Sequence, residues 1–366
     1  MERPIFKEIG TLAEELDPSS MVVDVEVLDR NIEKMHAFFS DREVKLRPRV
    51  DTHLCPAIAH KQLLAGGTVG GIAVATIGQA EIFAEYGFSD ILLTNVVVTK
   101  QKIARVCALA GMVNISVVAD DLTNVRNLSD AAIECKVNIG VVISLNNGFN
   151  SIGIASGKSA TILAQAIVES KVLKFAGLLA YDAVVPGTKN EDMIGLLMKS
   201  YQNAIDTKHE IECLGINCDS LRIESTINYE TAADLSDVTE VLSGTYALMS
   251  QGYSANCSQF EFAARILSVV ISTPEKNMAI MDAGRKTIGS DYGLPVIDNV
   301  PGAIVEAMSA EHGTIKLCET NLSIGDKLWV VPWDIGESIN LHDYIQVVRQ
   351  GKLETVWDIP ARGKYR

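Results

Sequence analysis

Short apolar runs alternate with segments of helical periodicity along the first 226 residues. Each apolar run predicts a strand, and each segment that follows it predicts a helix. The predicted strands span residues 20–25, 45–51, 71–76, 90–95, 114–120, 138–144, 173–182 and 219–226. Continuous apolar character is typical of strands buried on both faces, so this alternation predicts an α/β fold, a closed (β/α)8 TIM barrel. An open doubly wound sheet is the alternative, which the missing GxGxxG motif disfavours.

The pattern changes after residue 255 to short alternating runs divided by Gly, Pro, Asn and Asp. Alternation with period two, interrupted by turn residues, is typical of an antiparallel β domain. The polar stretch SQGYSANCSQ marks the boundary. We therefore predict a barrel domain over 20–255 and an antiparallel β domain over 256–366, with residues 1–19 packing on the β domain.

Composition narrows the class of protein. The net charge of −14 and the pI near 4.9 argue against a nucleic-acid-binding surface, which needs clustered Lys and Arg. No apolar run is long enough for a membrane span, and the first residues lack a signal-peptide pattern, so we expect a cytoplasmic protein. The seven cysteines include no close CxxC pair, which favours reduced thiols over zinc or disulfides.

Polar residues end the predicted barrel strands, where barrels of this type carry their chemistry. These residues are Asp24, Asp51 with His53, Thr76, Asn95, Asp120, Ser144, Asp182, and Glu224 with Ser225 and Thr226. Several carboxylates facing one another across a barrel mouth require a compensating cation, either a metal ion or a ligand. For Asp24 and Asp120 the alternative is that they cap the following helices.

The chain resembles a known family almost from end to end. The stretches that carry the resemblance include LRPRVDTHLCPAIAHKQ, SSMVVDVEVLDRNIEKM, GLLAYDAVVPG, EVLSGTYALM, DAGRKTIGSDYG, AEHGTI and INLHDY. They are similar to the D-threonine aldolase and D-serine dehydratase group, relatives of alanine racemase. The resemblance implies a barrel that binds pyridoxal phosphate (PLP), a C-terminal antiparallel β domain, and a homodimer whose β domain closes the barrel mouth of the partner.

The chain departs from this family at the residue that would anchor the cofactor. The family motif has His where Arg49 stands and a lysine, which forms the Schiff base, where Asp51 stands. A carboxylate cannot form an imine, so we predict that PLP is not held covalently at this position. Lys61, in the following helix, is expected to be solvated instead.

Other positions depart in the same direction. Ile223 and Glu224 stand where the family's phosphate-binding loop has glycines, Asp182 stands for a His, and Ser151 stands for an Arg. The family's metal-binding pair, a His and a Cys or Asp, corresponds to Asp334 and Gly336. The family residues that remain are Thr52, His53, Gly244, Thr245, Tyr246 and His312.

These changes add acids to one predicted pocket and predict a site for a cation. The cation would be Mg²⁺ or Mn²⁺, with Asp51, Asp182, Glu224 and Asp334 as ligands, or a cationic substrate. Arg49 and Arg222 would orient a substrate carboxylate, unless they pair with the nearby acids. Thr52, Ser225, Thr226, Gly244 and Thr245 complete the predicted ligand-binding set.

Three functions follow from this interpretation. The first is a lyase acting on a small hydroxy or amino acid, with Asp51, His53, Asp182, Tyr246 and His312 as catalytic residues. The second is the family reaction with non-covalently bound PLP. The third is a non-catalytic relative that binds an amino acid-like ligand or a partner subunit.

Overall fold

The computed structural model describes residues 6–146, 152–182, 191–318 and 320–366, and only the backbone of 191–194. Two compact units make up the chain. One comprises Met1–Lys34, Thr52–Lys61 and Thr245–Gly363; the other comprises Met35–Asp51, Gln62–Gly244 and Lys364–Arg366. In the described ranges, no helix has the length and apolar character needed to cross a membrane.

The second unit holds a sheet of eight parallel strands. The first strand of the chain, β1 (Ser20–Asp24), is not part of this sheet. The eight strands of the sheet are β2 (Lys45–Pro48), β3 (Ile72–Val74), β4 (Asp90–Val96), β5 (Asn114–Ala119), β6 (Ile139–Leu145), β7 (Leu173–Tyr181), β8 (Leu221–Glu224) and β9 (Glu240–Ser243). They are hydrogen bonded in the order β2-β9-β8-β7-β6-β5-β4-β3. Backbone bridges from Leu46 to Thr68 and from Arg49 to Ala73 then join β2 to the β3 side. The sheet therefore closes, which confirms the predicted α/β barrel.

In the described ranges the α-helices lie between strands along the chain. They are α1 (Val25–Ser40), α2 (Pro56–Leu64), α3 (Ile77–Glu85), α4 (Lys100–Ala110), α5 (Leu122–Cys135), α6 (Lys158–Glu169), α7 (Glu191–Cys213), α8 (Tyr229–Ala233), α9 (Gln251–Ser254) and α10 (Ile335–Ile339). Of these, α1 to α8 precede β9, the last barrel strand.

Thr76, which follows β3, is the N-cap residue of α3. Its side chain accepts a hydrogen bond from the Gln79 N–H, and the Gln79 side chain binds back to the Thr76 N–H. This capping box satisfies donors that would otherwise be unpaired.

The barrel interior is layered along its axis. An apolar layer crosses the middle and is formed by Ala73, Leu92, Val118, Val142, Leu179 and Leu242, which come from six different strands. Below it, toward the strand starts, lie charged residues that include Arg47 and Glu240. Above it, at the strand ends, lie Arg49 and Glu224. The barrel is thus a packed core with polar groups at both ends, and a pore is excluded.

The strand predicted to open the barrel does not belong to it. β1 pairs antiparallel with residues 264–267 and parallel with residues 346–348, and Val22 is buried beside Leu267 and Val348. The eighth barrel strand is instead β9, which follows the last strand predicted. The prediction that 20–25 forms the first barrel strand is therefore wrong. The residues of a strand predict that it is a strand, but they do not indicate which distant strand it pairs with.

The other sheet is mostly antiparallel and holds β1 with eight strands of the C-terminal region. These are β10 (Ala264–Glu275), β11 (Met278–Met281), β12 (Val296–Ile297), β13 (Ala303–Met308), β14 (Gly313–Leu317), β15 (Lys327–Val331), β16 (Tyr344–Arg349) and β17 (Lys352–Asp358). The pairing of β1 with β16 is parallel, and the other pairings are antiparallel. The predicted C-terminal antiparallel β domain is confirmed in this form.

Candidate functional site

Arg49 lies between two carboxylates at the C-terminal end of the barrel. Its Nε donates to Asp51 Oδ1 at 3.0 Å, its Nη2 donates to Asp51 Oδ2, and its Nη1 donates to Glu224 Oε1. The three side chains are only 19%, 16% and 13% exposed, respectively, so water screens their charges weakly. Two of the predicted acids thus converge, and the cation between them is Arg49.

The backbone fixes this arrangement. Arg49 follows β2 directly, and its N–H donates to Ser243 O at 2.8 Å. The chain then tightens into a 3-10 turn over Val50–Thr52, which brings Asp51 back to face Arg49. Glu224 ends β8, where its carbonyl accepts the Asp182 N–H at 2.9 Å. Arg49 and Asp51 therefore directly follow the end of β2, and Glu224 is the last residue of β8, so all three lie at the same end of the barrel.

A cavity of about 300 Å³ opens beside this cluster. Its lining includes Arg49, Glu224, Thr94, Asn95, Ser144 and Tyr181. The Ser144 side chain is 6% exposed, and no described residue forms a hydrogen bond with its hydroxyl. Asn95 also lines the cavity; its Oδ1 accepts the Val96 N–H at 2.9 Å, and its Nδ2 has no acceptor among the described residues. A small polar ligand would meet the carboxylate of Glu224, the guanidinium of Arg49, the amide of Asn95 and the hydroxyl groups of the lining here.

Asp182 forms a separate buried cluster. Its Oδ2 accepts hydrogen bonds from Ser225 Oγ at 2.6 Å and from Asn228 Nδ2 at 2.8 Å. Ser225 Oγ in turn accepts the Asn228 N–H at 2.9 Å. Burial and the negative charge of Asp182 raise the pKa of Tyr201. Asp182 and Ser225 therefore fix the loop after β8, and the predicted role of Asp182 as a metal ligand beside Asp51 gains no support.

Arg222 lies one layer deeper, among the charges at the strand starts. Its Nε and Nη2 donate to Glu240 at 3.1 and 3.0 Å, and Arg47 Nε donates to the same carboxylate at 2.7 Å. Arg47 also reaches Asp90 at 3.2 Å. Burial alone would raise the pKa of Glu240, but the two guanidinium groups lower it below its ordinary value. Arg222 thus pairs with an acid, which was the alternative to binding a substrate carboxylate.

The strand-end acids Asp24 and Asp120 have different roles. Asp24 Oδ1 accepts the N–H groups of Glu26 and Val27 at 3.0 and 3.2 Å, so it caps α1 as expected. Asp120 does not cap α5, because its neighbour Asp121 does so by accepting the Thr123 N–H at 2.6 Å. Asp120 instead accepts the Gly153 N–H at 2.9 Å. The capping prediction for Asp120 is wrong by one residue.

Several predicted site residues belong to the unit that holds the C-terminal sheet. His53 is fully buried, and its Nδ1 accepts the Cys55 N–H at 3.2 Å. Tyr246 is also fully buried, with its ring centroid 5.9 Å from that of Phe260. His312 lies exposed in the turn between β13 and β14. The two histidines and Tyr246 are thus held in dissimilar surroundings.

Asp334 has a structural role. It is the N-cap of α10, and its Oδ1 accepts the Glu337 N–H at 2.9 Å. A Cβ at Gly336 would lie 3.1 Å from that same Oδ1. Across the described ranges, no three His, Cys, Asp or Glu side chains group in a way that could hold a metal ion. The four-carboxylate metal site predicted from the sequence therefore has no geometric support in the described part of the chain.

The other residues singled out in the sequence lie as follows. Thr226 Oγ1 and Ser243 Oγ are 2.9 Å apart, and Gly244 and Thr245 follow at the end of β9. Lys61 Nζ pairs with Asp29 Oδ1 at 2.8 Å and is one third exposed. Ser151 lies outside the described residues.

Sequence reasoning missed some residues of the mouth and of the lower charged layer. Thr94 and Leu179 line the cavity without standing last in their strands. The lower cluster of Arg47, Glu240 and Asp90 was also missed, although charged residues in otherwise apolar barrel strands are a readable signal. Such charges must be paired inside the barrel, since an unpaired buried charge is strongly unfavourable.

The fold and the strand-end site define the class of protein, a barrel of the alanine racemase type with a C-terminal β domain. Residues 23–224 match the family model "Alanine racemase, N-terminal domain", and residues 263–348 match "Putative serine dehydratase domain". An alanine racemase structure from Clostridium difficile 630 superposes with a TM-score of 0.69 at 12% identity, covering 94% of this chain and 99% of its own. At that identity, the similarity concerns the fold alone.

Closer relatives define the family. The D-threonine aldolase of Arthrobacter sp. is 31% identical over 95% of this chain and 93% of its own length. The crystal structure of D-threonine aldolase from Filomicrobium marinum has a TM-score of 0.93 and 28% identity, covering 98% of this chain and 99% of its own. The chain belongs to the D-threonine aldolase and D-serine dehydratase family of alanine racemase-type proteins.

Proposed function

We propose that the barrel mouth binds a small hydroxy or amino acid non-covalently, without PLP attached at position 51 and without the family's lyase chemistry. The observation that carries this proposal is the position of Arg49 between Asp51 and Glu224 beside the cavity. Asp51 stands where a lysine would have to form the covalent bond, and a carboxylate cannot form it.

The charge of the mouth supports the same conclusion. Asp51, Glu224 and Arg49 together carry one net negative charge at neutral pH, because two carboxylates surround one guanidinium. A phosphate dianion beside Glu224 would meet a like charge in a weakly screened site. The residues of this mouth therefore fit PLP poorly, and they fit a ligand that carries an ammonium group.

The size and lining of the cavity suit a single small molecule. About 300 Å³ lies at the lower limit of ordinary ligand pockets. The ammonium group of an amino acid would interact with Glu224, and its hydroxyl or carboxylate would accept hydrogen bonds from Asn95 and Ser144. Arg49 keeps its two carboxylates and holds Glu224 in place.

The proposal is tested by titration calorimetry of the purified chain with D-threonine and D-serine in the absence of PLP. We expect saturable binding that weakens about tenfold in Asn95→Ala, because one hydrogen bond to a charged ligand is lost. The matched control is Asn114→Ala, whose amide donates to Asp90 at the opposite end of the barrel. Absence of binding, or equal weakening in both variants, would contradict the proposal.

A lyase is the second candidate, favoured by the name of the Arthrobacter relative, which is an aldolase. Cleavage of D-threonine by an aldolase breaks the bond between its α and β carbons and releases glycine and acetaldehyde. An assay for acetaldehyde, with and without added PLP and Mg²⁺ or Mn²⁺, separates the two functions. Turnover that is lost in Asp51→Asn would establish the lyase and overturn the binding proposal.

A further inference from the structure

A second cavity lies on one face of the C-terminal sheet, within a single compact unit. It encloses about 300 Å³, and its lining includes Val22, Asp24, Arg265, Asp298, Trp329 and Val348. None of these residues has a role in the proposed function. The cavity combines an apolar surface with charged groups of both signs.

Strand register places these side chains on the same face. Arg265 lies opposite Val22 on the neighbouring antiparallel strand, and Val348 lies beside Asp24 on the other side of β1. Trp329 lies opposite Leu267, two residues beyond Arg265 on β10. Because side chains two residues apart in a strand share a face, the lining follows from the pairing itself.

The apolar part of the cavity is fixed by the core. Val22 and Val348 are 3% and 5% exposed and belong to a buried cluster against which Trp329 packs. The backbone of Trp329 is held in place, since its N–H donates to Asn299 Oδ1 at 2.9 Å. Valines at the base and an indole at the side form a preorganised surface for an aliphatic or aromatic group.

Asp24 supplies a negative charge at one side of the cavity. Its Oδ1 accepts both N–H groups at the start of α1, at 3.0 and 3.2 Å. Its Oδ2 receives no hydrogen bond from any residue that the structure describes. One carboxylate oxygen therefore remains available to an ammonium group.

Arg265 supplies a positive charge on the adjacent strand. Its Nε donates to Asp298 Oδ2 at 2.8 Å, and its Nη1 donates to Phe262 O at 2.8 Å. These two bonds fix the plane of the guanidinium. Within the described ranges its Nη2 has no acceptor, so donor capacity remains for a carboxylate.

We infer that this cavity binds a free α-amino acid with an apolar side chain, aliphatic or aromatic. The ammonium group interacts with Asp24 Oδ2, the carboxylate accepts from Arg265 Nη2, and the side chain lies across Val22 toward Trp329. The volume matches one such molecule and excludes a large cofactor. The inference is independent of the barrel mouth and of the proposed function.

The experiment is a titration of the full chain with phenylalanine, followed by tryptophan fluorescence and by calorimetry. We expect a saturable fluorescence change that is lost in Trp329→Leu. Phenethylamine lacks the carboxylate and 3-phenylpropionate lacks the ammonium group, so each should bind about tenfold or more weakly than phenylalanine. Equal binding of all three compounds, or none, would overturn the inference without any variant.

Variants assign the two charges to their residues. Asp24→Asn keeps the helix cap, because Asn is as good an N-cap as Asp, yet should weaken phenylalanine binding about tenfold. Arg265→Gln should have a similar effect. The matched control is Asp29→Asn, which removes one acid of α1 that lies outside the cavity lining. Binding unchanged in both cavity variants, or weakened equally in the control, would overturn the assignment.

Discussion

Arg49 determines the chemistry of the barrel mouth at the scale of single residues. Its guanidinium binds both oxygens of Asp51 and one oxygen of Glu224, and all three side chains are mostly buried. A fork-shaped donor suits two carboxylates better than a lysine would, because it donates in one plane. The acids that the sequence presents as a site for an external cation thus already have an internal one.

Removing Arg49 should leave two carboxylates close together without a partner. We expect Arg49→Met to lower the free energy of unfolding by about 3 kcal/mol at pH 7, as for other buried pairs that lose one member. The measurement is urea unfolding followed by circular dichroism. The control is Arg349→Met, whose pair with Glu354 is 41% exposed on both sides and should change stability by about 0.5 kcal/mol or less. Similar losses in both variants would contradict the assigned role of Arg49.

Glu240 should make stability depend on acid pH. Its folded pKa is lowered below the ordinary 4.5 because attraction by Arg47 and Arg222 outweighs the effect of burial. A depressed carboxyl pKa stabilises the fold above the unfolded pKa, and this stabilisation is lost as pH falls through the folded pKa. Urea unfolding of Glu240→Gln and the unmodified chain should therefore differ most at neutral pH and converge as the pH falls through the folded pKa, on the acid side of 4.5. A difference independent of pH would contradict this assignment.

At the level of single elements, close packing at the strand starts constrains Gly71, the residue directly before β3. A Cβ at Gly71 would lie 2.3 Å from Asp90 Oδ2 and 2.6 Å from Arg47 Nη1. Gly71→Ala should therefore cost about 1–3 kcal/mol, since the charged network must move to admit a methyl group. Thermal and urea unfolding measure this loss.

Gly195 provides the opposite case. It lies inside α7, and no described atom is within 4 Å of its added Cβ. Gly195→Ala should stabilise the chain by about 0.5–1 kcal/mol, because alanine loses less conformational freedom in a helix. If Gly71→Ala were neutral or stabilising, as Gly195→Ala is expected to be, the packing argument at Gly71 would fail.

Local pattern predicted most elements but not every strand partner. The run 20–25 has the same apolar character as a barrel strand, and its true neighbours are more than 240 residues away in sequence. The short strand β9 begins with a buried glutamate, which conceals its apolar pattern. Partner choice depends on distant residues, so periodicity alone cannot assign a strand to a sheet.

The candidate site was only partly predicted, because some of its contacts join residues that are far apart in sequence. Asp51 and Glu224 were identified because strand ends of a barrel converge. The partner of both acids, Arg49, is 175 residues from Glu224 in sequence, and only the folded chain shows that it satisfies them. Asp334 was expected among the metal ligands, yet a helix start uses its carboxylate.

Across the whole molecule, the chain keeps the fold of its family, while Arg49, Asp51 and Glu224 at its barrel mouth carry one formal net negative charge. A TM-score of 0.93 to the Filomicrobium marinum D-threonine aldolase shows how closely the backbone is kept. A kept backbone does not by itself keep the chemistry, because function depends on the side chains at the site. The homodimer implied by the family resemblance stays a prediction, to be checked by sedimentation equilibrium.

Chemical labelling at position 51 tests most directly whether this chain holds PLP covalently. The unmodified chain and an Asp51→Lys/Glu224→Gly variant are incubated with equimolar PLP, reduced with borohydride, digested, and analysed by mass spectrometry. We predict a phosphopyridoxyl group in stoichiometric amount on the introduced lysine of the variant, and on no single lysine of the unmodified chain. Stoichiometric labelling of one lysine in the unmodified chain would contradict it.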